Sequence, residues 1–326
     1  MPRASPLAVT LSALVIPAFA VAQSGPSTPP YPSKPIRIIV PFTAGGGIDL
    51  QARVIGQKLN ERWGQPILVD NRPGAATIVG TELASKAPRD GHTLLMITTT
   101  FAINPALYGK LPYDPKEFAP IVQTGQAPMM LAAHPTLPVR NLRELLMLAK
   151  KRPDQISYAS AGNGTATHVA VELINTMTGV KLTHIPYRGL PQAFTDVVGG
   201  HVSLMITSTS QLAPYIKSGK LKALAVTSLA RTNAAPDVPT VAESGVPGYE
   251  ASVWQGIVTN AGVPAEIVTR LNREINEIYL LPDVKEKLTV DGAVMTANSP
   301  DQFATHIRNE TAKWSKVVKD SGAKPD

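Results

Sequence analysis

A strand, a glycine loop and a helix follow one another twice in this chain, about one domain apart, and that repetition limits the fold more than any other feature. The first unit starts with the β-branched run Ile36-Arg37-Ile38-Ile39-Val40, which ends at Pro41. A loop, Thr43 to Gly47, carries Gly45, Gly46 and Gly47. Asp49 to Trp63 then reads as a helix with Ala52, Ile55, Leu59 and Trp63 on one face, stopped by Gly64. The second unit is the strand Ile156–Ala159, the loop Ser160–Thr165 and a helix from Ala166 to Met177 ended by Gly179. Two such units predict an α/β fold with one layered body around each.

The remaining pattern keeps the alternation. Strands are expected at Ile67–Val69, Thr93–Ile97, Leu182–Ile185, Leu204–Ile206, Leu221–Val226 and Val253–Asn260, with extended chain from Ile121 to Ala133. Helices are expected at 79–86, at 142–151 capped by Asn141, and at 192–198, 211–218, 265–280 and 300–320. Asn104 to Pro120 reads as a Pro-rich connection.

The N-terminus reads as an export signal. Arg3 gives the positive start, Leu7 to Phe19 is apolar apart from Thr10 and Ser12, and Ala20-Val21-Ala22 supplies the small residues of a cleavage site before Gln23. The run is shorter than the ~20 apolar residues a bilayer crossing needs. The chain has no cysteine, which excludes disulfides, thiolate metal sites and a lipid-anchored Cys. These features predict a periplasmic protein, residues 1–22 being removed. Losing Arg3 with the signal lowers the formal charge from +7 to +6. The basic residues are scattered and aromatics few, so nucleic-acid binding has little support. A mildly positive surface attracts anionic solutes.

The glycine loops carry the chemistry. Glycine lets the backbone turn with positive φ and lets a ligand touch the main chain. The helix that follows each loop points unpaired N–H groups and its positive dipole end back at the loop, a setting for an anion. Ser160, Thr165 and Thr167 add hydroxyls. Each loop alone reads equally well as a tight strand-to-helix turn; two of them favour a pincer with one jaw per domain. Neither is a P-loop, because no Gly-Lys-Ser/Thr ends it, and Leu50 stands where G-x-G-x-x-G needs its last glycine. Nucleotide binding is therefore not expected.

Further motifs extend along the chain: Tyr31-Pro32-Ser33-Lys34-Pro35-Ile36, Asp70-Asn71-Arg72-Pro73-Gly74-Ala75, Ile103-Asn104-Pro105-Ala106-Leu107-Tyr108, Leu111-Pro112-Tyr113-Asp114-Pro115, Ile185-Pro186-Tyr187-Arg188-Gly189 and Asp237-Val238-Pro239-Thr240. With the two glycine loops, they make the chain resemble the Bug family of periplasmic solute-binding receptors of tripartite tricarboxylate transporters. The resemblance covers essentially all of the mature chain. It implies a two-lobed Venus-flytrap fold of the type II kind, each lobe a mostly parallel sheet flanked by helices. Lobe 1 would comprise 31–125 and 255–326, lobe 2 would comprise 126–254, and hinges would lie near Gln123–Met129 and Ser252–Gln255. It implies a small carboxylate in the cleft, delivered to a membrane permease of that transporter type, with no cofactor and no metal. The receptor is expected as a monomer without membrane insertion. The ligand-binding residues it implies are Gly45, Gly46 and Gly47 on one jaw, and Ser160, Gly162, Asn163, Gly164, Thr165 and Thr167 on the other. Thr98, Thr99, Tyr187 and Thr207 are added around them, with Trp254 as either a cleft wall or packing beneath it. Two departures stand out. Ile48 replaces a usual Thr before Asp49, and Thr207 stands where relatives often have Asp, which would pair with a ligand ammonium. A carboxylate lacking an amine is thus expected.

Catalytic signatures are lacking. The six histidines form no H-E-x-x-H, and there is no G-x-S-x-G. His168 is placed to touch a ligand or to pack beneath one. A hydrolase acting on small carboxylate esters, and a ligand-dependent partner of a sensor kinase, remain as alternatives to a transport receptor.

Overall fold

The computed structural model describes Met1 and residues 31–288, 294, 295 and 297–325; the expected signal and its cleavage point lie outside the described residues. Nine strands run through it: β1 (Ile36–Val40), β2 (Ile67–Asn71), β3 (Thr93–Thr98), β4 (Phe118–Ala133), β5 (Ser157–Ser160), β6 (Thr183–Pro186), β7 (Leu204–Ser208), β8 (Lys222–Val226) and β9 (Ser252–Asn260). They are joined in the order β2-β1-β3-β9-β4-β7-β5-β6, with β8 also on β4. The helices are α1 (Gly47–Trp63), α2 (Ile78–Ser85), α3 (Thr99–Tyr108), α4 (Leu142–Lys151), α5 (Ala166–Thr178), α6 (Leu190–Val198), α7 (Thr209–Lys217), α8 (Ala265–Leu280), α9 (Pro282–Leu288) and α10 (Pro300–Ser321). None of the described helices is long and apolar enough to cross a membrane.

Parallel pairs lie at the two outer ends, β2-β1-β3 and β7-β5-β6, as the strand–helix alternation demands. The middle is antiparallel, which makes the whole sheet mixed. Strand β4 ties the halves together. It pairs with β9 from Phe118 to Pro128, then with β7 from Met129 to Ala133 and with β8 from Met130. Its register on β9 shifts between Pro120 and Val122 and again between Gln123 and Gly125. Proline has no ladder donor and glycine no side chain to pack, so both shifts fall where the ladder is weakest.

Two local cores and one shared core fill the layers. Ile38, Val40, Ile55, Leu59, Leu94, Ile257, Leu271 and Ile275 are fully buried around β1 and α8. Met130, Ala132, Met205, Val197 and Leu212 do the same in the other half. The third core crosses between them, joining Phe101, Leu107, Phe303 and Trp314 to Tyr158, Val169 and Ile174. Helix α10 lies so close over β9 that a Cβ on Gly256 would come 2.1 Å from Phe303 Cζ and 2.9 Å from the Val122 carbonyl, so glycine is required there. Buried Glu310 accepts from Trp254 Nε1 at 2.9 Å and Trp314 Nε1 at 2.8 Å and pairs with Lys313, pinning α10 to β9.

Two expectations about elements need correction. The Pro-rich connection begins later than expected, because Thr99–Tyr108 is helical with Pro105 inside it. Phe101, Ala102, Ile103 and Leu107 bury that helix against the core, and burial of Phe101, Ile103 and Leu107, at about 1.5–3 kcal/mol each, together outweighs the ~3 kcal/mol a helical proline costs. The short α9 was not anticipated.

Candidate functional site

A cavity of about 430 Å³ opens between the two halves of the sheet. Gly47, Leu50 and Gln51 of α1 form one side, and Thr167 of α5, Leu190 of α6 and Thr207 and Ser208 of β7 form the other. Gly125 to Met129 of β4, with Val253 and Gln255 of β9, make the floor, and Lys287 and Leu288 of α9 reach the rim.

The first loop is set by charge. Gly45 has φ +90°, and its amide donates to Asp49 Oδ2 at 2.9 Å. Arg53 Nε donates to the same oxygen at 2.9 Å, and Asn71 Nδ2 to Oδ1 at 2.9 Å. Asn71 Nδ2 also donates to the Phe42 carbonyl at 3.1 Å, so the aspartate anchors the loop to the end of β1. The Arg53 hydrogen bond, together with those from Gly45 and Asn71, lowers the Asp49 carboxyl to about 2 against the opposing effect of burial. Gly46 is the N-cap of α1, and no side chain caps the helix. The first-turn amides are thus left without a capping acceptor and with the positive end of a 17-residue helix behind them. A Cβ on Gly47 would meet nothing within 4 Å, which leaves open space at the helix start. Ile48 is buried in the core around β1.

The second loop is a closed network. Gly162 N donates to Ser160 Oγ at 3.1 Å, Ala161 N to Thr167 Oγ1 at 3.0 Å and Gly164 N to His168 Nδ1 at 3.0 Å. Thr165 Oγ1 donates to the Gly162 carbonyl at 2.7 Å and lies 2.9 Å from Thr167 Oγ1. Gly164 has φ +69°, and a Cβ there would stand 2.1 Å from Leu107 Cδ2 of α3, so the first half presses directly on this loop. Beneath it the His168 and His184 rings stack with centroids 3.9 Å apart, and Ser160 Oγ lies 2.6 Å from His184 Nε2. Burial, then the neighbouring His184, lowers His168 to about 3, so it is neutral and its Nδ1 can accept from Gly164.

Of the residues anticipated from sequence, Gly47, Thr167 and Thr207 line the cavity. Gly45 and Gly46 shape the approach to Gly47. Ser160, Gly162, Gly164 and Thr165 spend their polar groups within the loop that carries Thr167, and Asn163 belongs to the same turn. Thr207 Oγ1 donates to Gln211 Oε1 at 2.7 Å and retains its acceptor capacity. Thr98 and Thr99 do not line the cavity. Thr98 Oγ1 accepts from Thr100 N at 3.4 Å as the cap of α3, and Thr99 Oγ1 accepts from Trp254 N at 3.1 Å. Tyr187 also lies off the cavity and donates to Asp196 Oδ2 at 2.6 Å. Trp254 is buried against Phe303 and His306, and His168 packs beneath the loop.

Sequence reasoning missed the floor. Gln126 and Gln255 face each other's strands only because β4 and β9 cross the molecule side by side, and no motif announces them. Gln51 had a signal, since it lies one helical turn after Gly47; its Oε1 accepts from Thr124 Oγ1 at 2.7 Å, which leaves its NH₂ to donate. Among the described residues no Asp or Glu lines the cavity, and its walls are largely apolar. The arrangement suits an anion with an apolar body.

A family model described as the tripartite tricarboxylate transporter family receptor matches residues 51–323. The chain belongs to that receptor family. Among its relatives is the Protein BugT of Bordetella pertussis, 36% identical over 297 residues, which are 90% of this chain and 91% of BugT. Among solved structures, R. palustris Rpa4515 with adipate is 34% identical with a TM-score of 0.78, covering 91% of this chain and all (100%) of that one. MatC (Rpa3494) from Rhodopseudomonas palustris with bound malate is 30% identical with a TM-score of 0.74, covering 88% of this chain and 100% of that one. The fold is therefore that of a two-lobed periplasmic binding protein, and the family is one of periplasmic solute-binding receptors.

Proposed function

We propose that this receptor captures a small carboxylate without an amine, aliphatic or aromatic, between its two glycine loops, and presents it to a permease of the tripartite tricarboxylate type. The observation that carries the reading is a cleft with helix amides on one side, hydroxyl side chains on the other and no acidic side chain among the described residues that line it. A ligand ammonium would find no counter-charge there, and burying an unpaired charge is costly. The relatives solved with adipate and malate hold dicarboxylates, which supports the class.

Residues 1–22 would direct the chain to the periplasm and be removed. Residues 31–125 and 255–326 would move as one lobe and 126–254 as the other, bending where β4 leaves β9 for β7. A carboxylate that contacts both loops only in the closed form shifts the open–closed equilibrium toward closure.

A thermal-shift screen of the chain from Gln23 onward tests this against dicarboxylates, tricarboxylates, aromatic acids and amino acids. Ligand at about 100 times its Kd stabilises the native state by roughly 2.7 kcal/mol, enough to see. A shift with one carboxylate class, the ligand recovered unchanged, is the expected result. Tight aspartate or glutamate binding with no response to dicarboxylates would overturn the assignment.

A further inference from the structure

Among the described residues that line the cleft, Lys287 alone carries a charge. It belongs to none of the loops or motifs that mark the family in this sequence. It sits on α9, a seven-residue helix held by fully buried Val284 and packed on α1 and α8. Lys58 of α1 pairs with Asp283 at 2.9 Å and fastens α9 to the helix whose N-terminus forms the first jaw. Asp283, the acid one turn before Lys287, accepts its close contact from Lys58 and meets Lys287 only as a longer-range charge. An ammonium group with a flexible stem is left at the rim of a largely apolar cavity whose other described lining residues are uncharged.

We infer that Lys287 is a specificity residue that holds a second carboxylate of the ligand, so that this receptor prefers dicarboxylates to monocarboxylates of the same length. The inference rests on the carboxylate reading proposed above. One carboxylate takes the uncapped amides of α1, the hydrocarbon body lies against Leu50, Leu190 and Val253, and the far carboxylate receives a charge-assisted hydrogen bond from Lys287. An ammonium on a mobile stem tolerates more than one chain length, because it acts as a point charge.

The test measures Kd by calorimetry for succinate, glutarate and adipate and for butyrate, valerate and hexanoate, using the wild type, Lys287→Met and Lys287→Arg. Lys287 is exposed, and Met retains most of the stem, so the unliganded variants should melt with the wild type. The wild type should prefer a diacid to its matching monoacid by tenfold or more. Lys287→Met should erase most of that preference while changing monoacid affinity by less than about twofold, and Lys287→Arg should restore it. Raising the salt from 50 to 500 mM should weaken diacid binding more in the wild type than in Lys287→Met. An unchanged diacid preference in Lys287→Met, or equal losses for diacids and monoacids, would overturn the role of Lys287 while leaving the carboxylate reading intact. A wild type that binds none of the six, nor any other carboxylate, would overturn both.

Discussion

Replacing Asp49 with Asn tests whether charge, rather than glycine content, shapes the first jaw. Asp49 is almost fully buried, yet its carboxylate serves three donors: Gly45 N, Arg53 Nε and Asn71 Nδ2. Asparagine keeps the shape but turns one oxygen into a donor, so at least one of those N–H groups then faces another donor. The carboxyl is lowered from 3.8 to about 2. At about 1.4 kcal/mol per unit, the ionised form contributes at most about 2.5 kcal/mol. The surrounding loop is solvated, so screening reduces this to about 1–2 kcal/mol. The sign follows from linkage. A lowered carboxyl stabilises the fold above its unfolded value of 3.8, and the contribution disappears as pH falls toward about 2. Asp49→Asn should therefore melt about 2–4 °C below the wild type at pH 7. That gap should stay constant from about pH 5 to 8, narrow below pH 4 and close near pH 2. Calorimetry over a pH series measures it. A gap of the same size at pH 2.5, or none at pH 7, would refute the argument that the ionised carboxylate organises this loop.

Other substitutions probe the packing and the second jaw. Gly256→Ala should cost about 2–4 kcal/mol by urea denaturation, because its Cβ would meet the Phe303 ring and the Val122 carbonyl, whereas Gly125→Ala, with nothing closer than 3.6 Å, should cost far less. Gly164→Ala should lower stability by about 2–4 kcal/mol, combining an unfavourable positive φ with pressure on Leu107, and a melt within 1 °C of the wild type would contradict the contact. Thr167→Val should weaken carboxylate binding about 5–10-fold by calorimetry, since Thr167 lines the cavity and its hydroxyl, which accepts from Ala161 N and contacts Thr165, holds the loop in shape.

Much of the architecture was legible because hydrophobic period and capping agree locally. Asn141 caps α4 with Oδ1 accepting from Glu144 N at 2.9 Å, and Gly64 and Gly179 end α1 and α5 in the left-handed conformation. What could not be read was arithmetic between distant parts. Pro105 argues against a helix locally, and only the third core, assembled from both halves, outweighs it. Strand β4 reads as one extended run, but nothing in its residues says that Pro128 ends its pairing with β9 and Met129 opens its pairing with β7. The antiparallel middle of the sheet depends on that switch.

The two jaws look equivalent in sequence and differ in the folded chain, and the difference comes from which side chains fall within reach of each loop. Around the second loop, Ser160, Thr167 and His168 all present acceptors to loop amides, so the backbone donors at 161, 162 and 164 are consumed within the loop, whose own hydroxyls hold it in shape. Around the first loop a single aspartate takes the Gly45 amide, and the N-cap of α1 is Gly46, which has no side chain to accept from the first turn. The amides at the start of α1 stay available because the capping position is a glycine, and a Ser or Asp at position 46 would compete with an anion for them.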